Sequence, residues 1–223
     1  MITVATTVYK IHPDNPQDRE IEAVKDALQR GALILYPTDT VYAIGCDLTV
    51  KSAVQRVRKL KQLANDKPLT FLCSSLSNIA DYARVSDTAY RIIKRLIPGP
   101  YTFLLPATKL VPRLVMSPKR KTTGIRVPDS PINLALIEAL GNPVISTSAL
   151  SIAVQNQNYK DPFNLSKAEL FDRLDGLVDG VIDNDAELQY QVSSILDLTA
   201  ERPVLTRKGL GWEAAIAWGV EPS

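Results

Sequence analysis

At 223 residues, with 45% hydrophobic and 22% charged side chains, the chain has the composition of a globular protein with one good core. No apolar run approaches the ~20 residues of a membrane helix, and residues 1–20 lack the basic-then-apolar order of a secretory signal, so the expectation is a cytoplasmic protein without membrane contact. The net charge of +2 conceals a basic middle: residues 51–126 hold sixteen Lys and Arg against three acids, which leaves ten bases and twenty-one acids elsewhere and points to an anionic ligand.

Residues 19–30 repeat at helical spacing, with Ile21, Val24, Ala27 and Leu28 on one face. The run at 32–36 is apolar and of strand length, and Pro37, which has no N–H to give a sheet, closes it. Thr38, Asp39, Thr40 and Tyr42 follow in a predicted turn just past a strand end, where open α/β sheets bind ligands. The spacing predicts a helix over 49–63 with Val50, Ala53, Val54, Val57 and Leu60 inward and Asp47 or Thr49 as N-cap. Residues 68–73 read as a strand, 87–99 as a helix stopped by Pro98 and Gly99, and 101–107 and 123–128 as strands. Residues 130–141 read as a helix with proline near its start and glycine at its end, and 143–149 as a strand. Beyond these, 151–166 reads as a loop, 166–173 as a short helix, and 177–182, 192–198 and 203–206 as strands. The alternation, with some strands adjacent in sequence, predicts an α/β fold with a mixed sheet, in a single domain over 1–223 whose core spans about 15–210.

There is no G-x-G-x-x-G and no G-x-x-x-x-G-K-[ST], so neither common phosphate cradle is supported. His12 is the only histidine, which argues against Ser-His-Asp and Cys-His catalysis and against a histidine zinc site. Cys46 and Cys73 have no metal spacing and are expected as buried packing residues. Chemistry must then run on cations, hydroxyls and positioning, and three groups offer these. The first is the turn at 38–42, whose plainer reading is an ST-turn satisfying its own backbone. The second is the helix bearing Arg56, Arg58, Lys59 and Lys61, whose plainer reading is a solvated face. The third is GIRVPDSP followed by VISTSAL. Arg126 inside an apolar strand requires an anionic partner, and Ser146, Thr147 and Ser148 close another apolar strand with hydroxyls. One shared polar pocket for a negatively charged, hydrogen-bonding ligand is expected.

The ordered set YPTDTVYAIG, KPLTFL, IPGPYTFLLPA, GIRVPDSP, STSA, SSILDL and LTRKG resembles the YrdC/YciO family of threonylcarbamoyl-AMP synthases, from about residue 20 to 210. The opening YKIHPDNPQDR is most similar to the YciO branch. The resemblance implies a twisted sheet of parallel and antiparallel strands with flanking helices around a deep basic cavity. It implies a nucleotidyltransferase that joins L-threonine, bicarbonate and ATP with Mg²⁺, releases pyrophosphate, and passes its product to a partner enzyme that modifies tRNA. Carried over by motif, Thr38, Thr40, Tyr42, Arg126, Ser146 and Ser193 are implied at the threonine, with Arg126 on its carboxylate. Lys61, Thr122, Ser148 and Arg207 are implied at the nucleotide, with Lys61 and Arg126 as the catalytic cations; no protein metal ligands are implied.

The chain departs from that pattern at three positions. The family K-x-R reads Lys61-Gln62-Leu63, its S-x-N reads Ser148-Ala149-Leu150, and Leu72 stands where a histidine is frequent. An arginine on a triphosphate contributes charge-assisted bonds of roughly 1.5–3 kcal/mol each, and Arg58, Lys59 and Lys67 are the neighbours able to replace it. Three functions stay open at this point: the synthase, hydrolysis of an adenylate or threonylcarbamoyl compound, and binding of tRNA or double-stranded RNA. The last is motivated by Lys109, Arg113, Lys119, Arg120 and Lys121, with no acid among them.

Overall fold

Eleven strands join edge to edge in one open sheet of mixed direction, as seen in a computed structural model that describes residues 6–62, 68–154 and 165–222. The first half of the chain gives β1 (Thr7–Lys10), α1 (Asp18–Gln29), β2 (Ile34–Tyr36), β3 (Ala43–Asp47), α2 (Lys51–Leu60), β4 (Thr70–Leu72), α3 (Leu76–Tyr82), α4 (Asp87–Leu96) and β5 (Tyr101–Pro106). The second half gives β6 (Thr122–Arg126), α5 (Pro131–Leu140), β7 (Val144–Ser148), α6 (Leu150–Ala153), α7 (Lys167–Leu174), β8 (Gly180–Asp183), β9 (Ser194–Asp197), β10 (Val204–Arg207), α8 (Trp212–Ala217) and β11 (Glu221–Pro222). The strands lie in the order β1-β8-β2-β3-β7-β4-β6-β5-β9-β10-β11. The pairs β1–β8, β8–β2, β4–β6, β5–β9 and β10–β11 are parallel, and the remaining neighbours antiparallel.

Successive residues of a strand face opposite sides, so the register divides the sheet into two surfaces. On one side α1 and α5 cover the sheet: Val24, Leu28, Leu136 and Ile137 pack against Ile34, Tyr36, Ala43, Leu72 and Val144. On the other side Val54 and Val57 of α2, Ile92 and Ile93 of α4, and Leu170 and Leu174 of α7 pack against Leu35, Ile44, Phe71, Phe103, Ile125 and Ile145. Each fully buried Leu, Ile or Phe contributes about 1.5–3 kcal/mol of transfer free energy, so this double layer is what holds the polar residues of the sheet in place.

Local chemistry explains where the helices begin and end. Ser130 accepts from the Asn133 amide ahead of Pro131, and Gly141 closes α5 at φ 74°, a left-handed conformation that glycine adopts without strain. Ser86 caps α4, and Ser166 with Glu169 forms a reciprocal capping box on α7. The cap expected for α2 is different: Val50 occupies the N-cap without a side-chain bond, while Asp47 Oδ1 accepts from the Thr49 amide at 2.8 Å and the Thr49 hydroxyl at 2.7 Å. Asp47 thus closes an Asx-type turn before the helix instead of capping it.

The expected strands and helices are present, most with shorter bounds, and six elements had no counterpart in the sequence reading: β1, β3, α3, α6, α8 and β11. The predicted loop at 151–166 begins as the short helix α6, and 155–164 lie outside the described residues, as do Leu63 and Lys67. Among the described residues no helix is long and apolar enough to cross a membrane. Both cysteines are free and buried.

Candidate functional site

The face that carries α1 and α5 continues past them as a polar floor. Arg126 ends β6, and alternation places Gly124 on its side of the sheet while Ile125 goes into the opposite core. Thr70 pairs with both Gly124 and Ser146, and Thr102 stands two residues before Leu104, the Gly124 partner on β5. Around them lies a cavity of about 250 Å³. Among the described residues its charged lining is Lys61, Arg126 and Arg207, with no acid, and its hydroxyls come from the 38–42 turn, β4, β5, β7 and the entry to β9.

Arg126 is held from three directions. Its Nη1 donates to Thr40 Oγ1 at 2.8 Å, its Nη2 donates to Asp39 Oδ1, and its Nε donates to the Gly99 carbonyl at 3.4 Å. The anionic partner that a buried guanidinium needs is therefore supplied from within the chain, by the turn itself. The turn also satisfies its own backbone: Thr38 Oγ1 donates to the Val41 carbonyl at 2.7 Å and accepts from the Thr40 amide at 3.1 Å. The two readings of this stretch, self-satisfied turn and pocket wall, hold together. From the other layer, Asn133 Nδ2 donates to the Pro37 carbonyl at 2.9 Å and fixes the entry to the turn.

Arg207 is positioned by β9. Its Nε and Nη2 donate to the Ser193 carbonyl at 3.0 and 2.7 Å, and Nη2 also reaches Ser193 Oγ, which contacts Thr102 Oγ1 at 3.0 Å. Burial, and then the charge of Arg126, lower the proton affinity of Arg207 below the usual arginine value. Two guanidinium groups that feel each other, with no acid among the described lining residues, form a site prepared for an anion.

Lys61 follows α2 and its ammonium donates to Ser151 Oγ on α6. Burial lowers its pKa from the ordinary 10.5. With the folded value below the unfolded one, the unfolded chain binds more protons in the window just under 10.5, so stability rises as pH climbs through it. Burial of Tyr36, Tyr42, Cys46 and Cys73 raises their proton affinity and acts the other way, so the lysine is read as a difference: the urea midpoint of the wild type relative to Lys61→Met is expected to rise across that window. An unchanged slope would place the lysine in solvent.

A family model for the Sua5, YciO and YrdC proteins, described as telomere recombination, matches residues 26–209. The chain belongs to the Sua5/YciO/YrdC family. A Haemophilus influenzae relative is 43% identical over 203 residues, 91% of this chain and 95% of its own length, and Escherichia coli YciO is 41% identical over the same extents. The crystal structure of E. coli YciO superposes with a TM-score of 0.83 at 39% identity, covering 92% of this chain and 97% of that one. P. abyssi Sua5, solved in complex with L-threonine, gives 0.82 at 26% identity over 98% of this chain and 63% of its own. A Shigella flexneri threonylcarbamoyl-AMP synthase is 34% identical over 139 residues, 61% of this chain and 73% of that protein.

In this Sua5/YciO/YrdC chain, Thr38, Thr40, Lys61, Arg126, Ser146, Ser148, Ser193 and Arg207 all line the cavity. Tyr42 and Thr122 do not. The Tyr42 hydroxyl turns away to the Ile182 carbonyl at 3.4 Å and Asn184 Oδ1 at 3.2 Å, and its ring packs edge-on against Phe171. Thr122 shares the sheet face of Arg126 but stands at the other end of β6, paired with Pro106. Among the five clustered cations of 109–121, none lines the cavity, and Arg120 pairs with Asp197 at 3.7 Å. Asp39, Thr70, Thr102 and Ser151 were not assigned from the sequence, although the alternation of TTGIR against PLTFLC could have placed Thr70 beside Gly124. Burial pushes the Cys46 thiol up to about 12, which removes it as a nucleophile. Among the described residues the lining holds no carboxylate, and no three His, Cys, Asp or Glu gather to hold a metal. The residues present do not fit a resident Mg²⁺.

Proposed function

We propose that this cavity joins L-threonine, bicarbonate and ATP into threonylcarbamoyl-AMP, whose acyl group a tRNA-modifying partner enzyme then uses. The observation that carries this reading is a lining that, among the described residues, has three cations and no acid, one cation being locked by the turn that bears Thr38 and Thr40. Relatives support it: a synthase of that name is 34% identical, and a similarly folded Sua5 was solved with L-threonine. The unbroken sheet supports a single domain over 1–223 acting as one unit.

In this reading the remaining N–H groups of Arg126 bind the threonine carboxylate, with Thr40, Ser146 and Ser193 around it. Lys61, Ser148 and Arg207 receive the Mg–ATP phosphates, and Tyr42 and Thr122 act from outside the lining. The threonine amine adds to bicarbonate with loss of water, giving a carbamate. A carbamate oxygen attacks the α-phosphorus, the bond from that phosphorus to the bridging oxygen breaks, and pyrophosphate leaves. The nucleophile is already anionic, so no histidine or thiol base is required. Alignment and cationic stabilisation of the phosphoryl oxygens supply the rate.

A second reading has its own observation. Leu150, at the family asparagine position, is buried in the apolar core and presents no polar group to a ligand. Loss of that contact favours hydrolysis of a threonylcarbamoyl compound over its synthesis. Pyrophosphate release from ATP and bicarbonate, with and without L-threonine, separates the two. Threonine-dependent release with a threonylcarbamoyl-AMP mass is expected; no release, together with consumption of added threonylcarbamoyl-AMP, would replace the synthase by the hydrolase.

A further inference from the structure

The cavity floor contains a row of mostly small residues brought together by the ladder. In register across five neighbouring strands stand Ile34, Gly45, Ser146, Thr70 and Gly124. The two glycines are enforced by their surroundings. A Cβ on Gly45 would lie 2.3 Å from the Ile145 carbonyl oxygen and 2.6 Å from the Tyr36 ring, and one on Gly124 would lie 2.7 Å from Thr70 Oγ1. Thr70 and Ser146 thus form a hydroxyl pair flanked by two glycines, with the Tyr36 ring over Gly45 and its hydroxyl bonded to Ser146. Directly opposed residues of an antiparallel pair have Cβ atoms about 4.5–5.5 Å apart, close enough for both hydroxyls to bond the oxygens of one planar group. Thr70 lines the cavity.

Spacing relates this pair to Arg126. Leu72 is the register partner of Arg126, and Thr70 lies two residues earlier on the same strand, roughly 7 Å away. A ligand that fits both places carries two planar carboxyl-like groups only a few bonds apart. An amino acid carboxylated on its nitrogen has that shape: its α-carboxylate meets Arg126, and its N-carboxy group lies flat over the Gly-Ser-Thr-Gly row.

We propose that Thr70, opposite Ser146, is a substrate-contacting residue that recognises the N-carboxy group of an N-carboxylated amino acid. This rests on the function proposed above and adds a second subsite to it. N-carbamoyl-L-threonine, a stable compound with a planar group on the same nitrogen, serves as the probe beside L-threonine. Calorimetric titration of the full chain is expected to show Thr70→Val losing about tenfold in affinity for N-carbamoyl-L-threonine with L-threonine affinity unchanged. Thr70→Ser should keep the wild-type affinity for both, and Arg126→Ala should lose both. If Thr70→Val binds both compounds as the wild type does, or weakens both equally, the subsite is overturned while the threonine site stands. If the wild type binds neither compound, the proposed function falls and the subsite with it.

Discussion

Arg126→Met is expected to lower threonine-dependent pyrophosphate release by at least about a hundredfold and to destabilise the fold by about 3–5 kcal/mol. The two effects have different origins. Activity falls because the cation bonded to Thr40 is gone. Stability falls because Asp39, its side chain 11% exposed, is left inside without its partner, and its Oδ2 already lacks one. Arg126→Lys should not rescue activity, since a single ammonium cannot reach Thr40, Asp39 and the Gly99 carbonyl together in the geometry the guanidinium fork allows. Adding Asp39→Ala to Arg126→Met should return most of the stability and none of the activity, because removing both charges of a buried pair is close to neutral. Urea midpoints and the pyrophosphate assay on the same samples read both. Equal midpoints for the single and double variants would mean that the ion pair does not hold the turn.

Gly45→Ala carries the second large effect. The added methyl group meets a backbone carbonyl of the paired strand as well as the Tyr36 ring, and backbone cannot move aside without opening the β3–β7 ladder. Overpacking of this kind costs about 3 kcal/mol, which for a chain of this length lowers Tm by roughly 6–12 °C. Gly141→Ala provides the comparison, because Gly141 is at φ 74° with no atom within 4 Å of a Cβ. It should cost only the ~1 kcal/mol of backbone strain. If the two variants melt together, close approach at Gly45 is not what requires glycine there.

Much of this arrangement is readable before any coordinates. Helices α1, α4 and α5 follow from apolar spacing and from punctuation by Pro131 and Gly141, since periodicity and caps are local signals. Arg126 stands out because a charge in an apolar strand has few explanations. The unread parts fail for identifiable reasons. In β1 only four residues pair, at the sheet edge and largely exposed, so no alternation marks them. In β3 every residue is buried, including Gly45 and Asp47, so the pattern resembles neither a surface strand nor an apolar run. Thr70 was missed because its meaning depends on register: its neighbours Ser146 and Gly124 are distant in sequence and adjacent only through the ladder. Asp39 was seen but not paired, because a hydroxyl-rich turn suggests a ligand more readily than an internal counter-ion.

The position of β8 has a consequence for how the protein is made. It lies between β1 and β2, yet it begins at Gly180, 144 residues after β2 ends at Tyr36. Throughout most of translation, one edge of β2 has no partner, and β1 has nowhere to dock. Nearly the whole polypeptide must leave the ribosome before that border of the sheet can close. Until then its unsatisfied amides and apolar side chains depend on chaperones or on speed to avoid pairing with another nascent chain.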